Sequence, residues 1–210
     1  MKIRTIIMSV AVVGLLFASC EDTKKKEAEE RAAAEQIRMD RERDSLLKVE
    51  EMNAARAAEM EANSIVAKAM GNSELSTLVS TLKAADLADT FKSEGQYTVF
   101  APTNEAFTNA PQSIIGNLME PDNKDQLQDF LKYHVLQGKL PAADVLAKVK
   151  EANNKLDVTT LNGDILTISE TNGKLMIKDS KGKTATVSSA DIDASNGTVH
   201  VIDKVLMPSM

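Results

Sequence analysis

The sequence predicts an α+β domain preceded by a charged helical stalk. Three observations carry this. Residues 21–62 are rich in Glu, Lys, Arg and Ala with no Gly or Pro; the next stretch spaces its apolar residues at helical intervals; and the last third alternates short β-branched runs with Asn-Gly turns.

At the start of the chain, Lys2 and Arg4 precede an apolar and small-residue run from Ile6 to Ala18 that ends at Ser19-Cys20. This is the pattern of a secretory signal peptide over residues 1–19. The run falls short of the roughly 20 apolar residues that span a bilayer. Cys20 is the single cysteine, so no internal disulfide can form. The segment Leu16-Phe17-Ala18-Ser19-Cys20 resembles the lipobox of bacterial lipoproteins, with Phe17 standing where leucine is usual. That resemblance implies that Cys20 is diacylated, becomes the mature N-terminus and binds the membrane through its acyl chains, each buried methylene contributing ~0.8 kcal/mol. Glu21-Asp22 resembles the surface-export signal of Bacteroidetes-type lipoproteins, whereas an early acidic residue implies inner-membrane retention in enterobacteria. The expectation is an exported envelope protein, outer-membrane, periplasmic or surface-exposed, with the leaflet open.

The formal net charge is −6, and loss of Lys2 and Arg4 with the leader makes it more negative still. With no Trp, two Tyr and five Phe, the chain has neither the basic stripe nor the stacking residues of a nucleic-acid binder. Nucleic acid is therefore not an expected partner.

Residues 20–62 are read as the lipidated cysteine followed by a charged tether, helical or partly disordered. Ile37, Met39, Leu46, Leu47, Val49, Met52 and Met60 hold no heptad over several turns, which argues against a long coiled coil. A spacer holding the next domain off the membrane accounts for the composition.

Residues 63–210 read as one domain of the usual single-core size. Ser73 is placed to cap a helix carrying Leu75, Leu78, Val79 and Leu82, and a second helix after Pro121-Asp122 carries Leu127, Phe130 and Leu131. Between them, residues 96–100 form a strand by their aromatic and β-branched content, and Pro102-Thr103-Asn104 ends it with capping chemistry ahead of a short helix containing Phe107. After residue 155, Asn162-Gly163, Asn172-Gly173 and Lys181-Gly182 separate antiparallel strands, and Asn196-Gly197 turns the chain into a last strand over residues 198–203.

Three of these segments together resemble the fasciclin, or FAS1, family of extracellular adhesion domains. They are residues 97–107 (Tyr97 to Phe107), the pair Tyr133-His134 with Val135, and residues 196–208 (Asn196 to Pro208). Their order and spacing make the resemblance specific. It implies a compact β-sandwich wedge with several helices, and adhesion or ligand binding outside the cytoplasm.

Only His134 and His200 supply imidazoles, too few for a histidine-based metal site, and no nucleophile or paired-carboxylate signature stands out. Both are read as hydrogen-bonded structural histidines, with Tyr133 burying its ring and offering its hydroxyl to a partner. The family resemblance links the Tyr-His pair to adhesion, making Tyr133 and His134 the first candidate partner-binding residues. Asp191-Ile192 matches the pair found in the integrin-binding segment of some animal fasciclin domains, and these two are the further candidates; the ordinary role of that pair is turn and strand chemistry. Asp191 and Asp193 fall short of the six or more oxygens that calcium takes. Asn196-Gly197-Thr198 fits a glycosylation acceptor, but its Asn-Gly turn suffices to explain it. No cofactor and no metal are expected, and the chain is not expected to be an enzyme.

The functional expectation is a lipid-anchored, non-catalytic module binding a protein or glycan of the envelope or matrix. The alternative is a structural protein acting by self-association and spacing, and a hydrolase using His134 ranks last.

Overall fold

The computed structural model describes residues 4–91 and 95–209, with side chains described from Lys25 onward. The expected leader and the Cys20 thiol fall outside the described side chains. The chain divides into two compact units, the first ending at Arg56 and the second running from Ala57 to Met210.

Through the first unit runs helix α1 (Arg4–Ala62). From Lys25 its side chains are almost all exposed, Leu46 and Met52 to 64% and 67%, as a helix without an apolar stripe must leave them. Among the described residues no helix is long and apolar enough to cross a membrane.

The second unit opens with α2 (Ile65–Met70), capped by Ser64, whose Oγ accepts the Ala67 N–H. Next comes α3 (Ser76–Ala84), led by a 3-10 turn over Ser73–Leu75. Leu75, Leu78, Val79 and Leu82 are buried, as their spacing predicts. The cap is Asn72 rather than the expected Ser73: the Asn72 side chain accepts the Glu74 N–H at 3.0 Å, and Ser73 becomes the first residue of the turn.

Strand β1 (Tyr97–Pro102) leads into α4 (Asn104–Thr108), where Thr103 Oγ1 accepts the Ala106 N–H at 3.1 Å. Then follow α5 (Gln112–Leu118), α6 (Lys124–Tyr133), β2 (Val135–Gln137) and α7 (Ala142–Glu151). The β-rich end comprises β3 (Leu156–Thr159), β4 (Ile165–Thr171), β5 (Lys174–Lys178), β6 (Thr184–Ala194) and β7 (Gly197–Ile202). The hairpins fall where the Gly turns predict them. At the β4–β5 turn both Asn172 (φ 52°) and Gly173 (φ 78°) take left-handed conformations, the type I′ geometry that matches strand twist.

The strands form one seven-stranded sheet in the order β2-β1-β7-β6-β5-β4-β3. Its ends meet: Leu136 bridges Thr160, and the Leu161 N–H donates to the Val135 carbonyl at 2.8 Å, so the sheet curls almost into a barrel. The two faces of the expected sandwich are thus halves of one continuous sheet. Among the described strands only β1 and β7 run parallel, Tyr97 opposite Gly197 through Pro102 opposite Ile202. Both strands are buried on both faces, mostly by apolar residues, with Thr98, Thr198 and His200 as buried polar exceptions. Val99, Ala101, Val199 and Val201 pack with α2, α3 and α6 in one core, while Phe100 and Ile202 point to a second core with Tyr133, Leu166, Ile168 and Ile177. The alternation is the period-2 geometry of a strand.

Candidate functional site

His134 ends α6 as its C-terminal cap residue, next to Tyr133, and the two side chains are 2% and 0% exposed. The Leu206 N–H donates to His134 Nε2 at 3.1 Å. That nitrogen is therefore unprotonated, and Nδ1–H donates to the Phe130 carbonyl at 2.9 Å. Burial disfavours the imidazolium and lowers the His134 pKa to about 4.

The Tyr133 hydroxyl accepts the Ser180 N–H at 3.0 Å and donates to Ser180 Oγ at 3.4 Å. Burial, its largest perturbation, raises the phenol pKa. Ser180 Oγ in turn donates to the Met207 carbonyl at 3.1 Å. Beside it, the buried Asp179 carboxylate accepts the Lys183 N–H at 2.7 Å and the Met207 N–H at 3.1 Å. Tyr133 and His134 thus fasten the 179–183 turn and the 205–207 segment to the end of α6. The hydroxyl expected to face a partner faces Ser180 instead, because the second core closes over the ring. Neither side chain has surface to offer a macromolecule directly.

Lys183 in the fastened turn, and Asp203 and Lys204 just before the buried 205–207 segment, do reach solvent. They border a cavity of about 170 Å³, with Lys183, Asp203, Lys204 and Asn109 among its walls and Val205 and Met207 at its apolar part. Sequence reasoning missed these residues. A lysine-rich hairpin reads as a solvated face, and no local pattern announces that residues 106–111, 183 and 203–207 converge.

Asp191 and Ile192 sit elsewhere, in an irregular stretch of β6. Against β7, register shifts fall between Val187 and Ser189 and between Ser189 and Ile192. Asp191 has φ 60°; its N–H donates to His200 Nδ1 at 3.3 Å, and its Oδ1 accepts the Ala142 N–H at the start of α7 at 2.7 Å. His200 Nε2–H donates to the Leu140 carbonyl at 2.9 Å. Ile192 is half-buried against the first core. Asp193 pairs with Lys139 at 2.5 Å, and that hydrogen bond lowers its pKa. The Asp191 pair and the Tyr-His pair share no hydrogen-bond partner: one orders the 139–142 loop, the other the 179–183 turn.

Both imidazoles therefore spend both ring nitrogens on the backbone. Among the described residues no group of three or more His, Cys, Asp or Glu side chains is placed to hold a metal ion. The amide of the acceptor-like Asn196 is buried, donating to the Phe91 carbonyl at 2.6 Å and accepting the Ile65 N–H at 2.9 Å, so it is sealed from modification.

The fasciclin domain model matches residues 73–208. Protein sll1483 of the cyanobacterium Synechocystis is 44% identical over 156 residues, which cover 74% of this chain and 79% of that one. The transforming growth factor-beta-induced protein ig-h3 of Sus scrofa is 37% identical over 138 residues, 66% of this chain but 18% of its own length. Among solved structures, a FAS1 domain pair from the insect cell adhesion molecule Fasciclin I matches with a TM-score of 0.50 and 27% identity, over 65% of this chain and 46% of that one.

Proposed function

The chain belongs to the fasciclin family, and from that membership we propose that it is a lipid-anchored, non-catalytic envelope protein presenting one fasciclin domain to a protein or glycan partner. The observation that carries this reading is the match across residues 73–208, joined to a likeness to a domain pair from a cell adhesion molecule. The leader and Cys20 supply export and the membrane anchor; α1 supplies reach. Hydrolysis by His134 finds no support, because a general base needs a free ring nitrogen within reach of substrate and both nitrogens of this buried ring are engaged.

The test is cell adherence to surfaces coated with envelope or matrix polymers, comparing the native chain, a Cys20→Ser variant and a deletion. Adherence is expected with the native chain, lost on deletion, and strongly reduced when Cys20→Ser releases the protein from the membrane fraction. Equal adherence in all three overturns the reading.

A second reading, structural self-association, rests on the exposed Ile37, Leu46 and Met52 of α1. Concentration-dependent sedimentation of the full chain in detergent, with adherence unaffected by deletion, would favour it.

A further inference from the structure

We propose that the cavity beside Lys183 and Lys204 binds one anionic sugar unit, a uronate or a sulfated sugar, of an extracellular polysaccharide. The inference rests on the adhesion reading above and assigns that reading its contact site.

Charge is the first argument. In a chain of net charge −6, two ammonium groups line one cavity, and among the described residues neither is ion-paired. Lys204 Nζ donates to the Thr184 carbonyl at 3.2 Å, which holds the ammonium in place and leaves it further protons to donate. A carboxylate or sulfate ester suits this pair.

The rest of the lining selects among anions. Asp203 shares the cavity and accepts the Thr186 N–H through Oδ1. Its carboxylate repels a bare phosphate or sulfate ion but accepts hydrogen bonds from hydroxyls, and the Asn109 amide can do either. Pro111, which is exposed, and half-buried Ala110 add apolar surface for the C–H face of a ring. A ligand with one negative group, several hydroxyls and an apolar face answers all three, and that is a sugar acid or a sugar sulfate. The volume of about 170 Å³ admits one ring, below the roughly 300–1,000 Å³ of sites for drug-sized ligands. An opening to solvent lets the polymer continue on either side.

Rigidity is the last argument. The walls that carry the lysines adjoin the two segments that Asp179, Ser180, Tyr133 and His134 tie together, so the lysines stand on a braced backbone rather than a loose loop, which limits the ordering lost on binding. The buried Tyr-His pair thus positions the site without touching the ligand.

The test is titration calorimetry of the full chain in detergent with trigalacturonate, its fully methyl-esterified form, dextran sulfate and unmodified dextran. The expected result is binding of trigalacturonate or dextran sulfate, the stronger of the two naming the anionic group. Binding should fall by about tenfold or more for the neutral counterpart and for a Lys183→Gln/Lys204→Gln variant, as loss of charge-assisted hydrogen bonds predicts. Both lysines are exposed, so the variant should keep the native urea midpoint, and that midpoint is measured alongside. Asp203→Asn should weaken the sugar acid while strengthening binding of inorganic sulfate. Equal binding of acid and ester, no loss in a folded double-lysine variant, or retention by anionic vesicles in preference to both polymers overturns the proposal. Cells carrying the double-lysine variant separate the two levels. Adherence that survives the substitution removes the cavity while leaving the adhesion reading intact, whereas absence of adherence by native cells removes the adhesion reading itself.

Discussion

His134 Nε2 accepts the backbone N–H of Leu206 from 72 positions along the chain at 3.1 Å, pinning the C-terminal segment to the end of α6. The bond requires a neutral imidazole. The His134 pKa of about 4, against an ordinary value near 6.5, means that the unfolded chain binds a proton more readily than the folded one. This contribution is fully present above pH 6.5 and is lost as pH falls from there through 4, amounting to roughly 3 kcal/mol at most. Urea midpoints measured across this range should decline with acidification, and a His134→Gln variant should flatten that dependence while lowering stability at neutral pH. An unchanged slope in the variant would place the acid sensitivity in other groups.

Tyr133→Phe keeps the ring in the second core and removes the hydroxyl, leaving the Ser180 N–H without its acceptor. The expected loss is about 1–2 kcal/mol, with native secondary structure by circular dichroism. Hydrogen exchange should rise at residues 179–183 before it rises in the sheet, because the turn loses its tie while the strands keep theirs.

Asp191→Ala removes the carboxylate that accepts the Ala142 N–H at the start of α7, and loss of such a cap costs about 1 kcal/mol. Asp191→Gly should cost less. Glycine accepts the φ of 60° without strain, partly offsetting the lost cap. Equal midpoints for the two variants would show that the bulge conformation contributes no strain.

Gly197→Ala should be the most damaging small substitution in the domain. At φ 154° an added Cβ would stand 1.9 Å from the Tyr97 carbonyl oxygen, a backbone atom held in the parallel β1–β7 ladder. The strands must separate, at a cost of about 3 kcal/mol or more. Soluble yield and thermal midpoint report it directly.

Much of this fold is legible locally. Helical spacing marks α3 and α6, Asn172-Gly173 marks a hairpin, and Thr103 marks the cap of α4, since each depends on neighbours within one or two turns. Helices α5 and α7 were not anticipated, and α2 at six residues and β2 at three are too short for a period to show. Asn72 rather than Ser73 caps the turn before α3 because only geometry selects between adjacent capping residues.

Family membership, too, was readable from three motifs, because a motif is a string of residue types and survives without coordinates. Which partners those residues meet was not. Burial of the Tyr133 ring is readable from the sequence, as found, but that the partner of its hydroxyl is Ser180 is not, since that is set by what arrives from far along the chain, here residues 180 and 206–207. The same long-range closure draws residues 106–111, 183 and 203–207 around one cavity. Periodicity carries information over a few residues; the partner that a buried tyrosine's hydroxyl finds depends on contacts dozens of residues away, and those exist only once the sheet has curled shut.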